Sequence, residues 1–506
     1  MEILASLLDG FSVSLQPLAL TMIVLGCAGG LVIGALPGLG SVNGVAILLP
    51  VTFLVPPNEA MMFLAAIYYG AMYGGSISSI MLGIPGASTA VATTFDGRPL
   101  AQKGQADKAL VAAGIGSFVG GSVSIVLFTL FAPPLALFAL KFGPAESFAL
   151  MALAFATFVG LGGDDIPKTI FSICIGLVFS AVGLDHVSGM PRLIFFDMSG
   201  FYAGIGFLVL AIGIYGIGEI LWTIETSKGK VEMSQATITA SRIFENIKRL
   251  RHSTGVMMMG SVMGYFVGML PAAGATPASL MAYGFAKSMS RDPDKFGKGE
   301  VTGVVAPETA NNAASTGALL PMMTLGIPGS PTTAILLGGM IIWGLQPGPM
   351  LFIQERDFVW GLISSLYTAN LVTAVLMISC IPLFVWVLKM PFTILAPIIF
   401  MLCVVGGFAP TNVMHDVWLM FLFGVGAYLL RKLDYPMAPA VLAIVLGPLA
   451  EKTFRQAMIT SQGDWTTFFT RPLSAIFMAC AVLLIVFPLV QNWQRKRRAE
   501  ANAAAE

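Results

Sequence analysis

Residues Met81–Thr89 read MLGIPGAST, and residues Thr324–Thr332 read TLGIPGSPT. Each puts glycine and proline in the middle of an apolar run, where proline removes a backbone donor and clashes with the preceding turn. Each therefore predicts a broken helix rather than a straight rod. A second pair precedes them in the same order: Gly34–Gly40 reads GALPGLG and Gly268–Gly274 reads GMLPAAG. From first proline to second the spacing is 48 residues in one half (Pro37 to Pro85) and 57 in the other (Pro271 to Pro328). Two matches in the same order predict an internal duplication.

The surrounding chain sets the solvent. Of 506 residues, 56% are hydrophobic and only 10% are charged, with 27 Lys+Arg against 26 Asp+Glu. Soluble domains carry roughly 25% charged residues, so this chain cannot cover a water-exposed surface. A soluble enzyme, a nucleic-acid binder and a disordered protein are disfavoured. The net charge of +1 gives no global field for steering nucleic acid or acidic partners. The five cysteines, Cys27, Cys174, Cys380, Cys403 and Cys480, lie far apart in apolar stretches and read as small apolar residues. The N-terminus, MEILASLLDGFSVSLQP, lacks the basic region of a cleaved signal peptide, so the first apolar segment is expected to be retained.

A membrane helix needs about 20 mostly apolar residues. That ruler places candidates near 17–36, 59–81, 108–140, 144–162, 166–184 and 201–221, then 253–270, 316–344, 358–388, 391–408, 413–430, 436–450 and 472–490. The expected fold is an all-α integral membrane protein of about 11 to 14 transmembrane or re-entrant helices, the range reflecting interruptions by Gly and Pro. Residues 1–221 form a first membrane repeat and 253–490 a second. Between them lies a basic linker, 222–252, with Lys228, Lys230, Arg242, Lys248, Arg249 and Arg251; a basic tail, 491–506, holds Arg495, Lys496, Arg497 and Arg498. The positive-inside rule puts linker and tail in the cytoplasm.

Charge also orients the repeats. Between its two motifs the first half has PPNEA, with no Lys or Arg, whereas the second has Lys287, Arg291, Lys295 and Lys298. After the second motif the bias reverses, with Arg98, Lys103 and Lys108 against Arg356 alone. Equivalent loops therefore belong on opposite membrane faces, the inverted-topology plan of many secondary transporters.

Candidate ligand groups gather at the breaks. A broken helix offers free N–H groups and a partial positive charge to an anion, at Gly83, Pro85, Gly86, Ser88 and Thr89 and again at Gly326, Pro328, Gly329, Ser330 and Thr332. Ser88 and Thr89, and Ser330 with Thr332 or Thr333, are placed to cap the helices that follow. Beside the second break, Ala306–Gly317 reads APETANNAASTG. Helical spacing brings Glu308, Asn311, Asn312 and Ser315 near one face, and an acid inside a membrane is costly enough to be a functional suspect. Glu308, Ser76 and Ser315 are the expected coupling-ion residues. Ser41, Asn43, Tyr73, Ser76, Ser78 and Ser79 form a polar scatter in the first half, of which Ser41 and Asn43 are assigned to the ligand.

Other signals are weak. Gly160–Asp165, GLGGDD, only loosely matches an intramembrane aspartyl protease motif, and His186, His252 and His415 lack metal-ligand spacing. No Walker or dinucleotide-binding motif occurs, so no ATP-driven step is expected.

At GALPGLG, at Tyr73–Gly104 (YGGSISSIMLGIPGASTAVATTFDGRPLAQKG), at Pro307–Met340 (PETANNAASTGALLPMMTLGIPGSPTTAILLGGM) and at Gly183–Arg192 (GLDHVSGMPR), the sequence resembles the large membrane subunit of the tripartite tricarboxylate transporters, the TctA family. The resemblance covers nearly the whole chain. It implies a non-enzymatic permease of the bacterial inner membrane that imports a small organic carboxylate. A periplasmic binding protein delivers the carboxylate, and a small four-span membrane subunit assembles with the large one. It also implies coupling to sodium or protons rather than ATP, no organic cofactor, and no nucleic-acid partner. The ligand would then lie between the two GIPG segments, held by Gly83–Thr89, Gly326–Thr332, Asn311 and Asn312. The competing readings are a passive organic-anion channel and an intramembrane enzyme.

Overall fold

The computed structural model describes residues 2–161, 165–185, 188–194, 199–226, 240–271, 273–388, 390 and 392–503, with backbone only beyond 490. Part of GLGGDD, His186, Lys228, Lys230 and the side chains of the basic tail lie outside the described residues. In chain order the elements are α1 Glu2–Ser14, α2 Pro17–Ala35, α3 Gly40–Leu48, α4 Pro57–Met81, α5 Val91–Gln102, α6 Ala106–Ala139, α7 Pro144–Leu161, α8 Ile166–Ser180, strands β1 Gly183–Leu184 and β2 Pro191–Arg192, then α9 Phe207–Ile212, α10 Gly218–Thr226, α11 Ala240–Arg249, α12 Thr254–Met269, α13 Ala275–Met289, α14 Thr302–Leu325, α15 Pro331–Ile342, α16 Leu351–Gln354, α17 Arg356–Ser379, α18 Ile381–Val387, α19 Phe392–Phe408, α20 Met414–Lys432, α21 Met437–Thr460, α22 Thr467–Thr470 and α23 Pro472–Ala503. A π-helical turn, Gly213–Ile217, joins α9 to α10.

Six helices among the described residues are long and apolar enough to cross a bilayer: Pro17–Ala35, Pro57–Met81, Ala106–Ala139, Phe207–Thr226, Arg356–Ser379 and Met437–Thr460. Shorter apolar helices lie between them. Large apolar side chains point outward on α6 (Leu130, Leu137), α20 (Trp418, Leu422) and α23 (Leu483, Phe487), while Ser, Thr and Asn side chains are buried inside. This reversal of the soluble pattern is what a hydrocarbon solvent selects. The chain is an all-α integral membrane protein.

One expected span is corrected. The ruler placed a helix at 316–344, but α14 begins at Thr302, ends at Leu325, and is followed after the break by α15. The polar string APETANNAASTG depresses the hydropathy of a helix that is buried on every side from Gly303 to Thr324. Surrounding protein, not lipid, solvates its polar groups.

The contacts divide the chain into two compact units, residues 1–139, 206–270 and 274–429, and residues 140–205, 271–273 and 430–506. Both sequence halves contribute to the first unit, whose centre is made of α4 and α14, each buried along nearly its whole length. Both are approached closely through glycines at every fourth position of a neighbour. A methyl group added at Gly26, Gly30 or Gly34 of α2 would strike the Phe63, Ile67 or Ala71 carbonyl of α4. One added at Gly264 or Gly268 of α12 would strike the Ala310 or Ala314 carbonyl of α14. Small residues at that spacing let membrane helices meet backbone to backbone.

Within the same unit, loops of the two halves that follow different motifs lie together. Lys103 Nζ, after α5, donates to the Lys298 carbonyl at 2.5 Å, so the basic turn of the first half and the basic loop of the second meet at one end. Phe53 and Trp343, from the complementary loops, meet with ring centroids 5.4 Å apart. Loops that follow different motifs in the two halves are thus neighbours, as inversion requires.

The second unit packs α7 against α21 and α23, and α8 against α21. Its β1–β2 hairpin is tied to α21 by a ring of charges: Arg192 pairs with Asp185 (3.1 Å) and Glu451 (3.0 Å), and Arg455 pairs with both (3.0 and 2.6 Å). Arg471 and Glu146 add a pair at 2.9 Å.

Candidate functional site

Each long central helix ends at a GIPG. Gly83, after α4, and Gly326, after α14, have φ of 74° and 71°, in the left-handed region that a Cβ disfavours. The Gly326 N–H caps the Met322 and Pro321 carbonyls, and the Ile327 N–H returns to the Pro321 carbonyl at 3.2 Å. Three residues later the backbone is wedged against its own half. A methyl group on Gly86 would strike the Gly34 carbonyl and lie 2.9 Å from the Gly75 Cα. One on Gly329 would lie 2.7 Å from both the Gly268 carbonyl oxygen and the Ala318 Cα. The triplets 34, 75, 86 and 268, 318, 329 are equivalent by motif register, with the last two members the same distance apart in each half, so the duplication read from the motifs is also a duplication of packing.

The chain then re-enters differently in the two halves. Ser330 caps α15 in a capping box with Thr333: its Oγ accepts from the Thr333 N–H at 3.2 Å and its N–H donates to Thr333 Oγ1 at 2.8 Å. In the first half a 3₁₀ turn, Ser88–Ala90, leads into α5 with Ala87 at its N-cap and no side-chain cap. The expectation that Ser88 and Thr89 cap this helix is therefore corrected, as is the alternative that Thr332 caps the other. Ser88 Oγ instead lies 3.1 Å from Thr276 Oγ1 on α13, and Ser41 Oγ on α3 lies 2.8 Å from Thr332 Oγ1. The segment after the first break of each half thus meets the segment after the second break of the other. Tyr68 OH, 3.3 Å from Ser330 Oγ, adds a hydroxyl from α4. Asn43 Nδ2 donates to the Gly38 carbonyl at 3.4 Å, bracing the GALPGLG turn.

The two breaks differ in exposure. Ile84 is 38% exposed and Ser88 is exposed, whereas Ile327 is 0% and Thr332 2% exposed.

The polar string of α14 builds a second cluster alongside. Glu308 Oε1 lies 2.5 Å from Thr93 Oγ1 of α5, and Oε2 accepts from Ser117 Oγ of α6 at 3.2 Å. Asn312 Nδ2 donates to Ser117 Oγ at 2.7 Å and to the Glu308 carbonyl at 3.1 Å. Asn311 Nδ2 turns to α4 and donates to the Met72 carbonyl at 3.4 Å. All of these side chains are fully buried, and the Oδ1 atoms of both asparagines have no hydrogen-bond partner. Such buried acceptors are costly unless something satisfies them.

Ser76 and Ser315, expected beside Glu308, bond to carbonyls of their own helices, those of Tyr73 and Asn312. Ser79 bridges the Gly75 and Ala90 carbonyls. Sequence reading missed Thr93, Ser117 and Thr276, and also the bonds of Tyr69 OH to Thr316 Oγ1 and Tyr73 OH to Asn370 Oδ1, the latter at 2.5 Å. Thr276 stands one residue beyond the position equivalent to Ser41, which is Ala275, so motif register alone did not mark it. Thr93 and Ser117 sit in unmarked helices and carry no signal. Asp96, one turn beyond Thr93, accepts the N–H groups of Gly297, Gly299 and Glu300 at 2.7–3.0 Å and the Tyr283 hydroxyl at 2.9 Å, fixing the start of α14.

Duplicated helix breaks that cross-pair inside a membrane bundle, lined by hydroxyls and amides, define a polytopic membrane protein of the transporter type. Residues 20–442 match the model of the tripartite tricarboxylate transporter TctA family. The chain belongs to that family, whose members are large membrane subunits of tripartite transporters. It is 35% identical over 497 residues to an uncharacterized 52.8 kDa protein in the TAR-I ttuC' 3'region of Agrobacterium vitis, covering 98% of each chain. It is 36% identical over 234 residues to an uncharacterized protein in the TAR-II ttuC' 3'region of the same organism, covering 46% of this chain and 97% of the relative. No solved structure matches it.

Proposed function

We propose that this chain is the permease subunit of a binding-protein-dependent secondary transporter that imports an organic carboxylate across the bacterial inner membrane. The observation that carries the reading is the cross-pairing of the two halves at their breaks, Ser41 with Thr332 and Ser88 with Thr276. Helix starts of both halves converge there with hydroxyl donors, an arrangement that favours a carboxylate. Gly83, Pro85, Gly86, Ser88 and Thr89 line it from one half and Gly326, Pro328, Gly329, Ser330 and Thr332 from the other, with Ser41 and Asn43 beside them and Asn311 and Asn312 one layer deeper. A small four-span subunit and a periplasmic binding protein complete the assembly, and a sodium or proton gradient drives it. Basic residues gathered near Lys103, Lys298 and α11 mark the cytoplasmic end.

The test is uptake of a radiolabelled carboxylate panel into proteoliposomes holding this chain, its small partner and the binding protein, with sodium and proton gradients imposed separately. Concentrative uptake that requires the binding protein supports the reading. Equilibration without accumulation identifies a passive channel instead.

A further inference from the structure

We propose that Glu308 carries the transported proton, held as a neutral carboxyl between Thr93 of α5 and Ser117 of α6, and that proton rather than sodium coupling follows from the donors around it. The inference rests on the carrier reading above. Glu308 is fully buried, and no Lys, Arg or His forms an ion pair with it among the described residues. An ionised carboxylate buried without a counter-charge is strongly disfavoured; it takes up a proton or a cation.

The neighbouring groups decide between the two. The Asn312 amide is oriented by the Glu308 carbonyl, which must receive an N–H, so its Nδ2 also faces Ser117 and donates to it. Ser117 Oγ is therefore an acceptor for Asn312 and sends its own hydrogen to Glu308 Oε2. A cation needs convergent oxygen lone pairs; Ser117 Oγ is already spent on an N–H, which leaves a cation to recruit the partnerless Oδ1 atoms of Asn311 and Asn312. A proton on Oε1 needs a single acceptor, and Thr93 Oγ1 at 2.5 Å supplies it, the hydrogen bond running from carboxyl to hydroxyl in the protonated state and back in the ionised one.

Glu59 on α4, Lys108 on α6 and Lys287 on α13 form no ion pair with Glu308 among the described residues, and other titratable or charged groups on the surrounding helices bond elsewhere. Asp96 on α5 is bonded to the 297–300 backbone and Tyr283 of α13. Arg98 on α5 donates to the Met81 carbonyl. Asp107 on α6 is 3.9 Å from Arg242. Tyr69 and Tyr73 on α4 bond to Thr316 and Asn370, and Tyr265 on α12 is buried.

Position links this site to the ligand. Thr93 stands five residues beyond Ser88, in the helix that follows the GIPG break of the first half. Movement of that break moves the acceptor of the Glu308 proton. In the cycle, Glu308 binds one proton from the outer phase as an O–H at Oε1, and releases the same proton to the inner phase, so one positive charge accompanies each turnover and nothing is oxidised or reduced.

The experiment uses the assembled three-component transporter in proteoliposomes with a trapped pH dye and the carboxylate selected by the uptake panel. Wild type should acidify the lumen as it accumulates substrate under an inward proton gradient. Glu308→Gln should lower accumulation at least tenfold and abolish acidification, while substrate counterflow, which moves no net proton, falls far less; Glu308→Asp should restore part of the acidification. Infrared spectroscopy of the same membranes should show a protonated-carboxyl band that Glu308→Gln removes and Thr93→Val shifts, a readout independent of transport. Acidification that persists in Glu308→Gln, or wild-type accumulation driven by sodium alone with no proton flux, overturns the proposal and leaves the carrier reading standing. Absence of both uptake and counterflow in the wild type overturns the carrier reading and this inference with it.

Discussion

Ser41 and Thr332 lie 291 positions apart in the chain, and their hydroxyls share a 2.8 Å hydrogen bond inside the membrane bundle. Removing it with Thr332→Val leaves one buried hydroxyl without its partner, at a cost of about 1–3 kcal/mol. If that loss falls on the bound state, initial uptake rates drop roughly 5-fold to 150-fold at unchanged membrane abundance. Ser88→Ala, on the more exposed break, should cost less. Rates measured beside immunoblots of the membrane fraction check both, and equal effects would contradict the unequal burial.

The orientation of the loops predicts a labelling pattern. In a variant with all five cysteines replaced, a cysteine at Lys103 or Lys295 should react with an impermeant maleimide from one side only. A cysteine at Leu54, which is 85% exposed, should react only from the other side. Labelling of all three from one side would refute the inverted arrangement.

Close helix approach predicts matched sensitivity in the two halves. Gly34→Leu and Gly268→Leu each place a side chain against a carbonyl of α4 or α14 and should destabilise the fold by several kcal/mol, at or beyond the upper end of about 1–3 kcal/mol for overpacking. Gly284→Ala, on an α13 position with open space around it, should be neutral or slightly stabilising. Thermal unfolding in detergent separates the two classes.

Asp96 anchors the loop before α14. Asp96→Ala strands three backbone N–H groups and a tyrosine hydroxyl, and should expose 290–300 to protease at concentrations that leave the wild type intact. Hydrogen bonds to a charged group are worth about 1.5–3 kcal/mol each, so Asp96→Asn should recover only part of the protection.

In the second unit, Arg192 bridges Asp185 and Glu451. Its side chain is 32% exposed, so Arg192→Ala should cost only about 1 kcal/mol, within the range of exposed pairs. Lysine should not restore it, because one ammonium cannot serve two carboxylates as a planar fork does. A salt titration of thermal stability should show the wild-type advantage shrinking as ionic strength rises.

Much of the architecture could be read before any coordinates. Glycine and proline inside apolar runs mark breaks because few other residues tolerate that backbone, and their repetition in order exposes the duplication. Loop charge predicts an inverted sense for an equally elementary reason, since lysine and arginine resist translocation. Hydropathy failed at α14, where a helix solvated by protein need not be apolar. The Glu308 cluster was only half visible, because Thr93 and Ser117 reach it through the packing of α5 and α6 rather than through any local pattern. The caps expected at Ser88 and Thr89 did not form because the first half re-enters through a 3₁₀ turn, whereas serine and threonine at 330 and 333 suit a full helical start.

The contrast between Ile84 and Ile327, equivalent by register and opposite in exposure, has a further meaning. On the proposed carrier function, two halves built on one plan but held in different poses predict a counterpart in which the poses are exchanged, with the free-energy gap between the two set by side chains rather than by topology. Residues at equivalent positions then act as weights on a balance. A polar substitution at Ile84 adds to the arrangement seen here, and the same substitution at Ile327 adds to its opposite.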